Sequence, residues 1–587
     1  MRFPTFFFAL LLPLATLAAT PRVSIEIEGL SGEQADAARD NMELQQFLER
    51  EVSATQLGRL VERGREQIRK ALEPYGYYDA QVESDLAQAD GQYRAIYKVT
   101  PGERVMIRAA SVTVNGPGSQ FGPVASALRA FVPKVGAPLE HGPYEASKAN
   151  VTAVLQGAGY FDAQLDRHRV EVTRAARSAD LDVSWNSGER YRIGAVHFAA
   201  AQFPEEFLQG YLPWRPDAYY DVEELLALQQ RLVDADYFTS VSVQPELEKR
   251  ADGHVPVDVL LVPAKRTIYT ANAYLSTDSG PGAGFGVQRR WINSRGHKAG
   301  GEIDYSARLQ AIGTYYRIPV PGRQLKSFNF AAGYRDETTD SSRSRLMRLS
   351  ANEVRDRWHG HSRTLGLQYL NGDFTVAYEP HNSSLLYAEM LLARKRADDL
   401  MFPSHGVSVT YSARLAAEQL LSDTSLASVR ADAKWVRPAG SKSRFILRAS
   451  LGALAASDFE ALPPDLRFFA GGDRSVRGFD YQQIGERRIV PNPEPGPPDT
   501  IEGVIGGRHL IAISGEIEHY FLPRWGAAVF VDAGDAYNSS PDANVGAGIG
   551  LRWKSPVGVV RVDFAVPVST EFDDAGLRFH IMIGPDL

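Results

Sequence analysis

Cysteine is absent from all 587 residues, which excludes a disulfide framework, a thiolate metal site and a cysteine nucleophile. Basic charge is not in excess either. Lys and Arg number 64 against 71 Asp and Glu, a formal net charge of −7, so the electrostatic footprint of a nucleic-acid binder is missing. Long apolar runs are scarce. The run from Phe6 to Leu17 is too short for a comfortable membrane helix, and no other stretch approaches it. A chain of this kind enters a membrane only as a closed barrel. The usual catalytic constellations are also missing: no metal-binding His pair at helical spacing, no Gly-x-Ser-x-Gly elbow, no phosphate-cradling loop. The glycine-rich stretch Gly280-Pro281-Gly282-Ala283-Gly284-Phe285-Gly286 follows a strand pattern with no helix after it and is read as a turn. Neither an enzyme nor a bound cofactor is expected.

What is present begins with MRFPTFFFALLLPLATLAAT, residues 1–20. One arginine, an apolar run and small residues at Ala18, Ala19 and Thr20 are the pattern of a cleaved secretory signal peptide. Fifty-one glycines and 10% aromatics suit a strand-rich exported protein of several domains.

Residues 21 to 265 carry an internal repeat. Tyr77, Tyr160 and Tyr237 lie in related turns, 83 and 77 residues apart, and Pro101-Gly102-Glu103-Arg104 and Ser187-Gly188-Glu189-Arg190 mark the joins. Alternating strands open each unit, at Val23–Ile27, Ala109–Val114 and Ala195–Ala199. Helical periodicity follows, clearest in Leu57, Leu60, Val61 and Ile68, and in Leu225, Leu228, Leu232 and Val233. Gly76 and Gly159 are natural C-terminal caps. Each unit reads strand, helix, helix, turn, strand, strand, with boundaries at 21–102, 103–188 and 189–265. A sheet of this type leaves a strand edge open to augmentation by another chain.

From residue 266 to 587 no amphipathic helix is visible, only alternating strands and polar connections. About twenty residues per strand and connection gives roughly sixteen antiparallel strands. In the last five, aliphatic and aromatic residues occupy one face while Glu516, Glu518, Asp532, Arg552, Arg561, Asp563, Arg578 and His580 occupy the other. Alternation alone also fits a soluble double sheet, but opposed charges suit lipid outside and a polar lumen within. Short connections at Leu522–Trp525 and Ser555–Gly558 are assigned to the periplasmic side. Gly534–Asn544, Ser569–Ala575 and the long segment 461–508 are assigned to the outside.

That long segment contains Arg-Phe-Phe-Ala-Gly-Gly-Asp-Arg-Ser-Val-Arg-Gly-Phe-Asp-Tyr, residues 467–481. Arg474 and Arg477 among aromatics and glycines read as a loop that packs inward and offers a guanidinium fork to a carboxylate. A loop of this length in a compact barrel is functional or mobile.

The run PPDLRFFAGGDRSVRGF resembles the Arg-Gly-Phe loop of the outer-membrane assembly and two-partner-secretion transporter superfamily, and most of all its TamA-type members. The three N-terminal units are similar to polypeptide-transport-associated (POTRA) domains. The resemblance implies an α+β periplasmic region of POTRA modules, followed by an all-β outer-membrane barrel of about sixteen strands. It implies that Arg474, Val476, Arg477, Gly478 and Phe479 form the functional loop, that Arg477 meets Glu516 and Asp532 in the lumen, and that a lateral gate lies between first and last strands, at Thr267, Ala273, Leu577, Phe579 and Ile581. The implied role is insertion or translocation of β-barrel proteins and autotransporters in a Gram-negative outer membrane. The implied partners are a TamB-like periplasmic protein anchored in the inner membrane, unfolded clients and outer-membrane lipid, with no nucleic acid. A main assembly subunit is expected to carry five periplasmic units rather than three. A two-partner exporter is expected to carry two and a plug helix, and a passive porin needs neither modules nor loop.

Overall fold

The computed structural model describes residues 23–584 except 51, 90, 91, 200, 201, 323–325, 359, 400, 493–497, 557 and 570–575. The signal-like segment 1–20, the proline-rich run at 493–497, the connection at 570–575 and the terminal residues 585–587 lie outside the described residues.

Two compact units are present. The first gathers the residues up to 196 with 216–226 and 245–257; the second comprises 197–215, 227–244 and 258–587. Three small sheets precede the barrel. The first is built from β1 (Val23–Glu28), β2 (Gln81–Ala89) and β3 (Gln92–Thr100), in the order β1-β3-β2, so β1 and β2 are its edges. Helices α1 (Glu33–Asp40) and α2 (Ala54–Leu72) accompany it, and α2 buries Leu57, Leu60, Val61 and Ile68, the stripe its periodicity predicts. Ser53 caps α2 by accepting from the Gln56 N–H.

The second sheet repeats this order with β4 (Met106–Asn115), β5 (Gln164–Thr173) and β6 (Ser178–Asn186), and has helices α3 (Gly122–Ala130) and α4 (His141–Gly157). Its core centres on Trp185, whose indole N–H donates to Thr152 Oγ1 at 3.0 Å. The third has β7 (Arg192–Ala199), β8 (Phe238–Pro245) and β9 (His254–Pro263) in the order β7-β9-β8, with α5 (Glu205–Gln209) and α6 (Val222–Asp234). Leu225, Leu228 and Leu232 are buried as expected, but Val233 is exposed. It stands one position beyond the buried stripe, a rotation of about 100° that takes it off the packed face.

The barrel closes with sixteen antiparallel strands. Its first six are β10 (Thr267–Ser276), β11 (Gly280–Arg289), β12 (Lys298–Ser306), β13 (Leu309–Val320), β14 (Lys326–Thr338) and β15 (Ser342–Trp358). The next five are β16 (His361–Val376), β17 (Glu379–Ala397), β18 (Gly406–Ala416), β19 (Leu426–Pro438) and β20 (Ser443–Ala456). A hairpin of β21 (Arg487–Pro491) and β22 (Thr500–Val504) stands apart inside the long loop. The wall resumes with β23 (His509–His519), β24 (Trp525–Tyr537), β25 (Asn544–Ser555), β26 (Gly558–Pro567) and β27 (Arg578–Gly584).

Side-chain alternation sorts the wall as the sequence predicts. Ile513, Val529, Val531, Ile549 and Phe564 face outward and are exposed, while Glu516, Asp532, Arg552 and Asp563 face the lumen and are buried. Trp525 and Trp553 are paired in register and stack with centroids 5.8 Å apart, near the short turns where β24 begins and β25 ends. Amphipathic aromatics at this level match the interfacial girdle of a membrane barrel.

One expectation is overturned. Gly280–Gly286 is not a turn but the first seven residues of β11, paired with β10 from Ser276↔Gly280 to Thr267↔Arg289. Strand-averse glycine stands here because its neighbours need the room. A Cβ on Gly282 would lie 2.3 Å from the Tyr274 ring, and one on Gly284 would lie 2.2 Å from Asn272 Oδ1. The alternation is intact; only the side chains that would reveal it are missing.

Candidate functional site

The 457–508 connection folds back into the barrel and builds its own core there. Leu462, Leu466, Phe468, Val476 and Phe479 pack against wall residues such as Leu370 and Leu454. Arg467 organises the fold-back: its guanidinium donates to the carbonyls of Leu462 (2.7 Å), Ile505 (2.9 Å) and Glu460 (3.0 Å). The β21–β22 hairpin rests on the end of β16, where Val490 packs with Phe374, Val376 and Ala377.

Arg477 is the deepest charged group of this loop, at 2% exposure. Its Nε and Nη2 form a fork on the Asp532 carboxylate at 2.7 and 3.0 Å, and its backbone N–H donates to the same group at 3.0 Å. Nη1 reaches Glu516 at 2.8 Å and Asp563 at 3.0 Å. The guanidinium lies over Phe530, 3.4 Å from the ring centroid. Both expected partners are therefore in place. The sequence places Asp563 and Arg552 on the lumenal face but does not show that they join this cluster. Arg552 bonds Glu516 at 2.8 Å, Glu518 at 3.0 Å and Asp563 at 2.5 Å. Arg444 adds a bond to Glu518 at 2.6 Å. With Arg448 3.8 Å from Asp532, four guanidinium groups interleave with four carboxylates. Buried charges persist only in such mutually satisfied arrangements. Parity was the signal they carried, since Arg552 and Asp563 stand on the same lumenal parity as Glu516 and Asp532.

Two glycines make the approach possible. Gly478 has φ +96°, and a Cβ on Gly546 would lie 1.8 Å from the Arg477 carbonyl oxygen. Val476 and Phe479 are buried in the loop core. Arg474 does not share the role of Arg477. It is exposed, lines a cavity of about 690 Å³ with Asp278, Arg335 and Tyr481, and has no carboxylate partner among the described residues. The resemblance, rather than the pattern of two arginines, singles out Arg477 as the one that reaches the wall.

The seam is where the structure and the sequence reading part most. Among the described residues, strand β27 has seven in register with β26 but one with β10, Ser276↔Met582. Thr267 and Ala273 pair with Arg289 and Ala283 of β11 and have no registered partner on the opposite seam edge among the described residues. Leu577 precedes β27, while Phe579 and Ile581 pair with Phe564 and Val562 of β26. The gate positions read from the sequence border the seam rather than form its contact, because register between strands 300 residues apart leaves no trace in local pattern.

A closed sixteen-strand barrel plugged by an inward Arg-Gly-Phe loop, with small mixed-sheet modules before it, defines an outer-membrane assembly or secretion type of barrel. Residues 270–586 match the family model described as the Omp85 superfamily domain, and residues 24–101 match the POTRA domain TamA domain 1. The chain belongs to the Omp85 superfamily. It is 30% identical over 125 residues to the outer membrane protein assembly factor BamA of Nitratidesulfovibrio vulgaris, a match covering 20% of this chain and 14% of that relative's length. Among solved structures it is similar to BamA from Haemophilus ducreyi lacking POTRA domains 1–3, with TM-score 0.67 and 17% identity, over 82% of this chain and 99% of that one. CdiB from Acinetobacter baumannii aligns at TM-score 0.46 and 12% identity, over 90% and 98% of the two chains.

Proposed function

We propose that this chain is a TamA-type assembly factor of a Gram-negative outer membrane, with its N-terminal modules in the periplasm. In this reading it inserts or translocates β-barrel proteins and autotransporters through the seam between β10 and β27. The TamA-type first module supports that branch of the superfamily. The single observation that carries the mechanism is the seam itself, one registered pair among the described residues where β10 and β11 share ten. An unpaired backbone edge in hydrocarbon costs several kcal/mol, so a barely paired edge is held ready for another strand. A client strand completes it by augmentation, using main-chain hydrogen bonds and no catalysis. The first module, with edges β1 and β2, is the contact for a TamB-type periplasmic partner or for early handling of unfolded clients.

The test is a reversible lock. With no native thiol to compete, cysteines at Leu275 and Ile583, each one step from the registered Ser276↔Met582 pair, join the two edges on oxidation. Client insertion into proteoliposomes is expected to stop on oxidation and return on reduction. Full activity with the seam quantitatively crosslinked would sink the gate. Steady open conductance in a planar bilayer would instead favour a passive porin.

A further inference from the structure

The backbone leaves the seam nearly open, yet side chains from both of its edges converge on one residue of the loop. Asp473 is 4% exposed. From the β10 side, Ser276 Oγ donates to its Oδ2 at 2.9 Å and Thr277 Oγ1 to its Oδ1 at 2.7 Å. From β27, His580 Nδ1 lies 2.7 Å from the same Oδ1. The Asp473 backbone N–H in turn donates to the Asp278 carboxylate at 3.0 Å. Gly472, φ +97°, lets the loop descend there, since a Cβ would lie 2.8 Å from Asp278 Oδ2.

The loop grips β27 at two further points. The Gly478 N–H donates to His580 Nε2 at 3.0 Å, and Arg578 pairs with Asp480. Because Nε2 accepts, the proton of this imidazole sits on Nδ1 and is donated to Asp473. With both ring nitrogens committed, the Asp278, Asp473 and His580 trio is a hydrogen-bonded clasp rather than a vacant metal cage. Four residues further on, Arg477 holds the same loop to β23, β24 and β26 through Glu516, Asp532 and Asp563.

We propose that Asp473 is the residue that closes this barrel: it bridges β10 and β27 through side chains beside their one registered backbone pair among the described residues, so that withdrawal of the loop and opening of the seam are one event. The inference rests on the gate reading above and names the device that controls it. Asp473 belongs to the loop and bonds both edges, so the loop cannot rise there without releasing Ser276, Thr277 and His580. A client or partner that binds the loop from within the lumen therefore opens the edge without touching it.

Hydrogen–deuterium exchange of the full chain in lipid nanodiscs, without client, tests this directly. Asp473→Ala is expected to raise exchange in residues 267–276 and 578–584 by about tenfold or more, while β16 and β17 keep their protection. Unchanged exchange at the seam would overturn the proposal, and so would an equal rise around the whole barrel, which reports general destabilisation. Should Asp473→Ala fail to fold, Asp473→Asn with His580→Gln gives a second route. The double variant is expected to exchange at the seam no faster than the worse single variant, and additive effects would refute a shared clasp. The two readings fail separately. A loosened seam with an oxidised crosslink that leaves insertion intact removes the gate but keeps the clasp. An unchanged seam with a crosslink that stops insertion removes the clasp but keeps the gate.

Discussion

The Phe530 ring lies beneath the Arg477 guanidinium at 3.4 Å, and both groups are buried to within 2% of full enclosure. Stacking on the ring covers one face of the guanidinium, while Asp532, Glu516 and Asp563 take its edges. The result is a cation fixed in plane and orientation, which is a task for arginine and not for lysine. Several expectations follow from this geometry and from the seam.

Arg477→Ala takes a guanidinium partner from three buried carboxylates, Asp532, Glu516 and Asp563. A loss of about 3–5 kcal/mol in barrel stability is expected, as for other broken buried pairs. Arg477→Lys should recover little of it. Asp532→Asn should be costly alone but add little to Arg477→Ala, because both remove the same fork. Thermal unfolding in detergent, followed by heat-modifiable gel mobility, measures all three. Additive losses would dissolve the pairing.

The glycines of β11 make room for lumenal side chains of β10. Gly282→Val forces a branched carbon into the Tyr274 ring and should cost about 1–3 kcal/mol by overpacking. Tyr274→Ala should restore part of that loss when the two changes are combined. Absence of any rescue would mean that the glycine serves something other than this contact.

Asp278 lies in the turn at 277–279, outside the strands, and faces Asp473, His580 and Arg308. Burial first, and the Asp473 carboxylate second, push its carboxyl up from 3.8 to about 7. A carboxyl whose folded value is raised holds its proton more firmly in the closed state. Closure is therefore favoured below about pH 7 and weakened as the pH rises through that value. Seam exchange, corrected for intrinsic rates, should be slower near pH 6 than near pH 8. Asp278→Asn should flatten this difference, which separates the carboxyl from the imidazole beside it. A pH profile unaltered by Asp278→Asn would locate the titration elsewhere.

Deletion of residues 23–101 removes the whole first sheet, including the open edges β1 and β2, and leaves the second sheet intact. Capture of a TamB-type periplasmic partner in pull-downs should fall by at least about tenfold if this module is the contact. Undiminished capture would move the contact to the second or third module.

Much of this architecture was legible in the chain because it depends on local period. A strand repeats every two residues and a helix every 3.6, so the outward Val529 and Val531, the lumenal Glu516 and Asp532, and the buried stripe of Leu57, Leu60 and Val61 announce themselves. Where side chains are too small to show a period, as in Gly282, Gly284 and Gly286, the same strand was read as a turn. Where the pattern was one position too generous, Val233 was placed in a core that excludes it.

The sequence by itself determined the division into three mixed modules and a lipid-facing barrel, and it supplied the inward loop with its arginine, glycines and matching carboxylates, all through contrasts between neighbouring residues. Only the tertiary structure decided that Arg474 stays outside the charge network, that Asp563 and Arg552 complete it, and that Asp473 meets Ser276 and His580 across the seam. Those contacts link residues from 11 to 197 positions apart, and their existence depends on strand register and on the path of a folded-back loop. Neither leaves any periodic mark on the chain.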